Sequence, residues 1–435
     1  MSNIVWIRMS KTLPNKEILF SMKETIITTE QIKHQLANLR QLCFEVTDAC
    51  NLQCKYCAYG ELYNDYDTRE CKTLSVSTAI KLIDYLAELW NSKYNTSEKS
   101  HVYIGFYGGE PLVNMPFIKA IVSYIEKLNC RNREFTFSMT TNALLLKHNM
   151  DFLVEHRFNL LISLDGNEYN TSYRVDKKGR PAYSKILENV YALREKYPDF
   201  FEEKVNFNAV LHNRNSIADI YDFFKKHFDK IPSIGELNNM GIRPDKVDLF
   251  RETYRNYSES LHQTENYEAI EQDMFIRSAT YQSLTTFVHQ HSGFVYSDYT
   301  DLLFGPPKKT IPTGTCIPFS RKLFVTVNGK ILPCERIGQQ FGLGKISETG
   351  IELDIEAIAD RYNNYFAKLK PQCQKCYNYN TCIQCVYNLP NIDKQPVCHG
   401  FMNKKQYEEY KARQIDFLRQ HPDAYHRIME EVILR

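Results

Sequence analysis

The sequence lacks an apolar run long enough to cross a bilayer. Its longest stretches, such as FNLLISL at 158–164, fall far short of the roughly 20 residues a spanning helix needs. The start, MSNIVWIRMSKTLPNKE, has no apolar core followed by small residues. No signal peptide is read there, and a cytoplasmic location is expected. Charge of one sign is missing too: 54 Lys and Arg stand against 52 Asp and Glu, with no basic stripe and no acidic tail. Neither nucleic acid nor a membrane is therefore expected as a partner. There is no repeat and no low-complexity tract, and 435 residues at 43% hydrophobic suit one large domain with a smaller one beside it.

Cysteine is what the chain has in plenty. Thirteen are present, and in a cytoplasmic protein they are not expected to form disulfides. Cys50, Cys54 and Cys57 share one short stretch. Cys316, Cys334, Cys373, Cys376, Cys382, Cys385 and Cys398 form a second group near the other end. Cys43, Cys71 and Cys130 are scattered and read as structural, although Cys71 lies close enough in sequence to the first group to face the same cleft. Two thiol groups at opposite ends predict two metal-binding regions.

Between 41 and about 238 short apolar strands alternate with amphipathic helices. Strands are predicted at 42–46, 102–107, 135–139, 159–164, 204–211 and 233–237. Helices are predicted at 75–90, 116–128, 147–156, 183–197 and 216–228, the first capped by Ser75 or Ser77 with Leu82, Leu86 and Leu89 on its inner face. Six β-α units imply a parallel sheet but are too few for a closed eight-stranded barrel, so the fold class is α/β, a partial (β/α)6 TIM-like barrel. The expected divisions are an N-terminal extension (1–40), the core (41–240), a helical linker (241–305), a cysteine-rich domain with a β-hairpin (306–400) and a C-terminal helix (401–435). The Pro- and Gly-containing stretch 304–316 marks the second boundary, and Asn-Gly within 322–335 marks the hairpin.

The first thiol group, in TDACNLQCKYC (47–57), follows the first strand, at the mouth where barrel-like folds carry their sites. Its spacing is C-x3-C-x2-C, with no fourth cysteine in register. A structural zinc and a cubane iron–sulfur cluster each take four ligands. Either a distant histidine completes a zinc site, or three thiolates leave one iron of a [4Fe–4S] cluster open to a small chelating ligand. Small or polar residues also follow the later strands: YGGEP (107–111), TTNA (140–143), SLDG (163–166) and LHNRN (211–215). Together they describe a lined pocket.

These features, with the aromatic Tyr56 ahead of the last cysteine, resemble the radical S-adenosylmethionine (SAM) enzymes. The resemblance spans 41 to about 238 and continues in the tail. It implies that SAM chelates the open iron through its amino and carboxylate groups, and that one electron cleaves the sulfonium to give a 5′-deoxyadenosyl radical. It further implies that Gly108, Gly109 and Glu110 bracket the SAM amino group, that Ser163 and Arg174 contact ribose and carboxylate, and that Asn142 and Leu211 line the nucleoside pocket. The stretch before Arg174 lacks the His-Asp pair found in many relatives.

The tail resembles the SPASM extension of peptide-modifying members, which holds two auxiliary [4Fe–4S] clusters and brings the total to three. The resemblance assigns Cys373, Cys376, Cys382 and Cys398 to one cluster, and Cys316, Cys334 and Cys385 to the other, which then has one place without a cysteine. Two residues separate Cys382 and Cys385 where the family has three. Read alone, C-x2-C…C-x2-C is equally a zinc pattern.

The activity expected is maturation of a ribosomally made precursor peptide, installing a cross-link, thioether or epimerised centre. The alternative is an anaerobic sulfatase-maturing enzyme, for which Glu335, beside Cys334, would be the general base. A non-catalytic electron-transfer or zinc-scaffold protein is the alternative of another class. Partners implied are the peptide or protein substrate, a reductant such as flavodoxin or ferredoxin, and a separate leader-binding protein, since residues 1–40 are too short for a leader-binding domain.

Overall fold

The computed structural model describes residues 27–96, 100–130, 133–291, 303 and 311–433. Most of the N-terminal extension and part of the predicted boundary, 304–310, lie outside the described residues.

Six parallel strands run side by side in chain order: β1 (Gln41–Thr47), β2 (Ser100–Gly108), β3 (Arg133–Thr141), β4 (Asn159–Ser163), β5 (Val205–Leu211) and β6 (Ser233–Glu236). Strand side chains alternate between two faces. One face carries Phe44 and Val46, Ile104 and Phe106, Phe137 and Met139, Leu160 and Ile162, and Phe207, Ala209 and Leu211, all buried. The alternate positions Cys43, Gly105, Ser138, Thr140, Asn159 and Asn206 instead border a cavity of about 330 Å³. The sheet therefore has an apolar side and a polar side.

Helices α1 (Thr29–Ala37), α2 (Val76–Trp90), α3 (Met115–Glu126), α4 (Leu146–Glu155), α5 (Tyr183–Lys196), α6 (Pro198–Lys204) and α7 (Ile217–Phe228) accompany these strands. Ser75 caps α2 by accepting from the Thr78 N–H, 3.4 Å. The buried stripe of α2 is Ala79, Leu82, Ile83, Leu86 and Trp90, while Leu89 is only half-buried. The stripe thus ends on Trp90, one residue beyond the predicted leucine. On α7, Ile217, Ile220, Phe223, Phe224 and Phe228 are buried, each contributing about 1.5–3 kcal/mol.

The sheet does not stop at β1. Strands β7 (Leu323–Val325), β8 (Lys330–Leu332), β9 (Gly344–Ser347) and β10 (Gly350–Glu352) extend it to ten strands, with β10 and β6 at its edges. β7 pairs in parallel with β1, Leu42 opposite Leu323 and Phe44 opposite Val325. The expected hairpin is present, with Asn328 and Gly329 at its turn and Gly329 at φ 76°. Rather than forming a separate layer, it completes the open edge of β1.

Among the described residues of the linker stand the helices α8 (Val247–Thr253), α9 (Tyr257–His262), α10 (Tyr267–Met274) and α11 (Ala279–His291). Beyond β10 come α12 (Ile355–Cys373), α13 (Lys404–Gln420) and α14 (Pro422–Ile428). No helix among the described residues is long and apolar enough to cross a membrane.

Candidate functional site

Where the parallel strands end, a cavity of about 770 Å³ opens. Cys50, Cys54, Cys57, Tyr56, Gly108, Gly109, Glu110, Asn142, Ser163 and Arg174 all border it. Ten of the residues singled out in sequence, supplied by four strand ends and the segment after β4, thus meet at one mouth.

The thiol loop is held by backbone bonds to the segment after β4. The Gln53 N–H donates to the Val175 carbonyl at 2.7 Å, and the Lys55 N–H to that of Tyr173 at 3.2 Å. Within the loop, the Leu52 N–H donates to Cys50 Sγ at 3.4 Å, and Asn142 Nδ2 to the same sulfur at 3.8 Å. Burial pushes the Cys50 thiol up to about 11 and the Cys54 thiol up to about 12.

Gly108 and Gly109 serve the loop's backbone. A Cβ on Gly108 would lie 2.3 Å from the Thr47 carbonyl oxygen, and one on Gly109 would lie 2.1 Å from that of Ala49. Without side chains, the end of β2 closes on the thiol loop: the Gly109 N–H donates to Thr47 O at 2.9 Å and the Glu110 N–H to Ala49 O at 3.0 Å.

Glu110 is buried. Its Oε1 accepts from Thr141 Oγ1 at 2.7 Å and from the Leu112 N–H at 3.1 Å, and its Oε2 accepts from the Asn142 N–H at 2.7 Å. Burial raises its carboxyl to about 7, against these three bonds, which favour the anion.

Arg174 makes a bidentate ion pair with Asp165, Nε to Oδ2 and Nη2 to Oδ1, both 2.9 Å. Both side chains are buried. Asp165 also accepts from the Tyr56 hydroxyl and, at 3.0 Å, from the Val210 N–H. Burial holds the Tyr56 phenol well above its ordinary value, so it remains a donor. His212 stacks on the Tyr56 ring at 5.4 Å and stays neutral, because burial lowers it to about 4. Its Nδ1 accepts from the Arg214 N–H at 3.1 Å. Asp165 and His212 were not singled out in sequence, although Asp165 stands inside the SLDG motif.

Ser163 Oγ donates to Asn208 Oδ1 at 3.0 Å, and Asn208 borders the cavity with it. Leu211, the residue expected in the nucleoside pocket, turns its side chain to the apolar core with no exposure. Strand alternation puts Asn208 and Val210 of β5 on the cavity side instead. Glu335 is ion-paired to Lys322, Oε2 to Nζ 2.7 Å, and borders the neighbouring 330 Å³ cavity. Cys71 borders the main cavity from a left-handed backbone position, φ 58°. Cys43 is buried in the core and Cys130 is half-buried.

In the second thiol group, Cys373, Cys376, Cys382 and Cys398 border one small cavity with Leu369, Tyr379 and Phe401. Cys316 and Cys385 lie on segments joined by the Gly314 N–H to Gln384 O, 3.0 Å, and by the Val386 N–H to Thr315 Oγ1, 2.9 Å. Cys334 follows β8, and burial raises its thiol to about 11. Among the described residues, no three Cys, His, Asp or Glu side chains converge as the ligands of a single ion would. None of the thirteen cysteines is joined in a disulfide.

Residues 44–226 match the Radical SAM superfamily. The chain is 24% identical over 359 residues to a cysteine-type anaerobic sulfatase-maturating enzyme of Clostridium novyi (strain NT), covering 80% of this chain and 87% of that one. It is 30% identical over 217 residues to an uncharacterized protein of Methanocaldococcus jannaschii, covering 46% of this chain and 70% of that one. Its fold is similar to that of native anSMEcpe with bound AdoMet, TM-score 0.55 at 19% identity, covering 90% of this chain and 100% of that one.

Proposed function

The chain belongs to the radical SAM superfamily, and from that premise we propose that it is a peptide or protein maturase using SAM and a [4Fe–4S] cluster held by Cys50, Cys54 and Cys57. The observation that carries this is the gathering of those three thiols with Glu110, Asn142 and Ser163 around one cavity. Their chemistry fits the group: three sulfur donors border one open volume, and cysteine thiolates are the ligands iron–sulfur clusters take. Loaded with cluster and SAM, the site supplies one-electron cleavage of the sulfonium and so a radical able to take hydrogen from an unactivated C–H bond.

The chain's own residues bind and orient. Asn142 steadies the Cys50 sulfur. Glu110 offers a second lone pair on Oε2 to the SAM ammonium, with Gly108 and Gly109 fixing how far it reaches. Ser163 and Asn208 present a hydroxyl and an amide to the ribose, with Val210 against the nucleoside. The Asp165 pairing of Arg174 occupies Nε and Nη2 and leaves Nη1 for the SAM carboxylate. Cys373, Cys376, Cys382 and Cys398 would hold one auxiliary cluster, and Cys316, Cys334 and Cys385 a second, making three. The reaction is maturation of a ribosomally made peptide in the cytoplasm, with a reductant as electron source and a separate protein for leader recognition.

A second reading, sulfatase maturation, is favoured by the alignment along 87% of the Clostridium novyi enzyme. There Glu335 would act as the general base once drawn from Lys322. Anaerobically reconstituted protein given SAM and dithionite should release 5′-deoxyadenosine, and none from fully iron-loaded protein defeats the proposal. A sulfatase peptide bearing its Cys or Ser then separates the readings: formylglycine in it supports the second, an unchanged peptide the first.

A further inference from the structure

Twelve large apolar side chains are well exposed among the described residues, and four of them lie between 377 and 401. Ile383 is 74% exposed, Val397 56%, Tyr377 53% and Phe401 37%. Three adjoin a thiol of the second cavity directly: Tyr377 follows Cys376, Ile383 follows Cys382 and Val397 precedes Cys398. Phe401 borders that cavity itself, and the Tyr377 N–H donates to the Met402 carbonyl at 2.9 Å, which joins the two stretches. Apolar side chains gathered around a functional group in this way mark an interaction surface more often than accident.

The charge on this stretch is one-sided although the whole chain is nearly neutral. Residues 368–405 contain six lysines and one carboxylate, Asp393. Lys375, Lys394, Lys404 and Lys405 are exposed. On the neighbouring α13, Glu409 is matched by Lys405 and Glu408 by Lys411. Lys375, one residue before Cys376, and Lys404, three after Phe401, are exposed and give the apolar group basic neighbours. Its cavity shares no bordering residue with the cavity of Cys50, Cys54 and Cys57. A partner seated here would meet the second thiol group and would not reach the C–H chemistry, which speaks for a carrier of electrons over the substrate peptide.

We infer that this face docks a small acidic one-electron carrier protein. The inference rests on the function proposed above, because the thiols beneath must hold an iron–sulfur group. In the step, the carrier's reduced flavin, as the anionic hydroquinone, gives up one electron to become the neutral semiquinone, and the iron–sulfur group gains that electron. Complementary charge would set the encounter rate and the apolar centre the lifetime of the complex.

A flavodoxin is the probe. Its affinity for the reconstituted enzyme is measured by calorimetry for wild type, Ile383→Glu/Val397→Glu and Lys375→Glu/Lys404→Glu, all at surface positions that leave the thiols in place. Each pair should weaken binding roughly tenfold or more, and the wild-type affinity should fall with added salt. Deoxyadenosine formation driven by reduced flavodoxin should slow in parallel, while the dithionite-driven rate and iron content stay at wild-type levels. Wild-type affinity in both variants, or no flavodoxin binding at all, overturns the inference. Absence of dithionite-driven cleavage in the wild type instead defeats the proposed function, and the binding measurement still decides the docking face.

Discussion

Replacing Asp165 with alanine tests the network that ties the thiol loop to the sheet. Asp165 has no exposure and receives two bonds of 2.9 Å from Arg174, one of 3.0 Å from the Val210 N–H and one from the Tyr56 hydroxyl. In Asp165→Ala, the guanidinium stays buried with no anion and two other donors, the Val210 N–H and the Tyr56 hydroxyl, lose their acceptor. Breaking a buried pair from one side costs about 3–5 kcal/mol. At 2–4 °C per kcal/mol for a domain of this kind, the melting midpoint of the metal-free protein should fall by roughly 6–20 °C. Asp165→Leu/Arg174→Leu removes both charges and should destabilise less than Asp165→Ala alone, a non-additivity that a surface pair would not give. The assay is thermal unfolding under reducing, oxygen-free conditions, followed by circular dichroism. An Asp165→Ala protein within about 1 kcal/mol of wild type, or a leucine pair worse than the single variant, would refute the reasoning.

Reconstituted wild type should carry about twelve iron atoms and either Cys57→Ala or Cys376→Ala about eight, measured by iron assay; only Cys57→Ala should also abolish deoxyadenosine release. Gly109→Ala forces a Cβ against the Ala49 carbonyl at 2.1 Å and should cost about 3 kcal/mol in denaturant melts. Glu110 has a carboxyl raised from 4.5 to about 7 by burial, so the unfolded chain loses this proton first. Its contribution is full below pH 4.5 and is lost as pH rises through 7, by about 3 kcal/mol in all. In Glu110→Gln, melts across that window should lack this fall, with lower stability at acid pH because Gln offers the Asn142 N–H no second oxygen.

Much of this was readable in the residues. Six apolar runs, each followed by an amphipathic stretch, gave the parallel strands in order, because the alternation of short apolar run and helical pattern is the signature of βα units. The thiol loop, GGEP and SLDG were legible because backbone approach and metal binding demand particular residue types. Leu211, which the resemblance places beside the nucleoside, has its side chain on the apolar face by strand parity; Asn206 and Asn208, two polar residues two apart in an apolar strand, mark the opposite face. The attachment of β7 to β1 had no local signal. It depends on an edge left open some 280 residues earlier, and pairing between distant strands leaves no spacing to read.

The meaning of Asp165 changes the account of the site more than any other residue. Read along the sequence, Arg174 is a ligand for the SAM carboxylate and Tyr56 an aromatic beside a cysteine. In the structure both act first on Asp165. That carboxylate sits at the end of β4 and also holds the Val210 N–H of β5, so a single anion fixes two strand ends, the thiol loop and the Arg174 segment. The thiols thus reach their positions through a buried charge with no bulk water to compete for it. A mobile loop of three cysteines could gather iron but could not keep one face of a cluster turned toward a chosen ligand. What separates a site of this kind from an ordinary thiol knuckle is the rigidity behind the sulfurs, and in this chain it comes from Asp165 and from two glycines that let backbones touch.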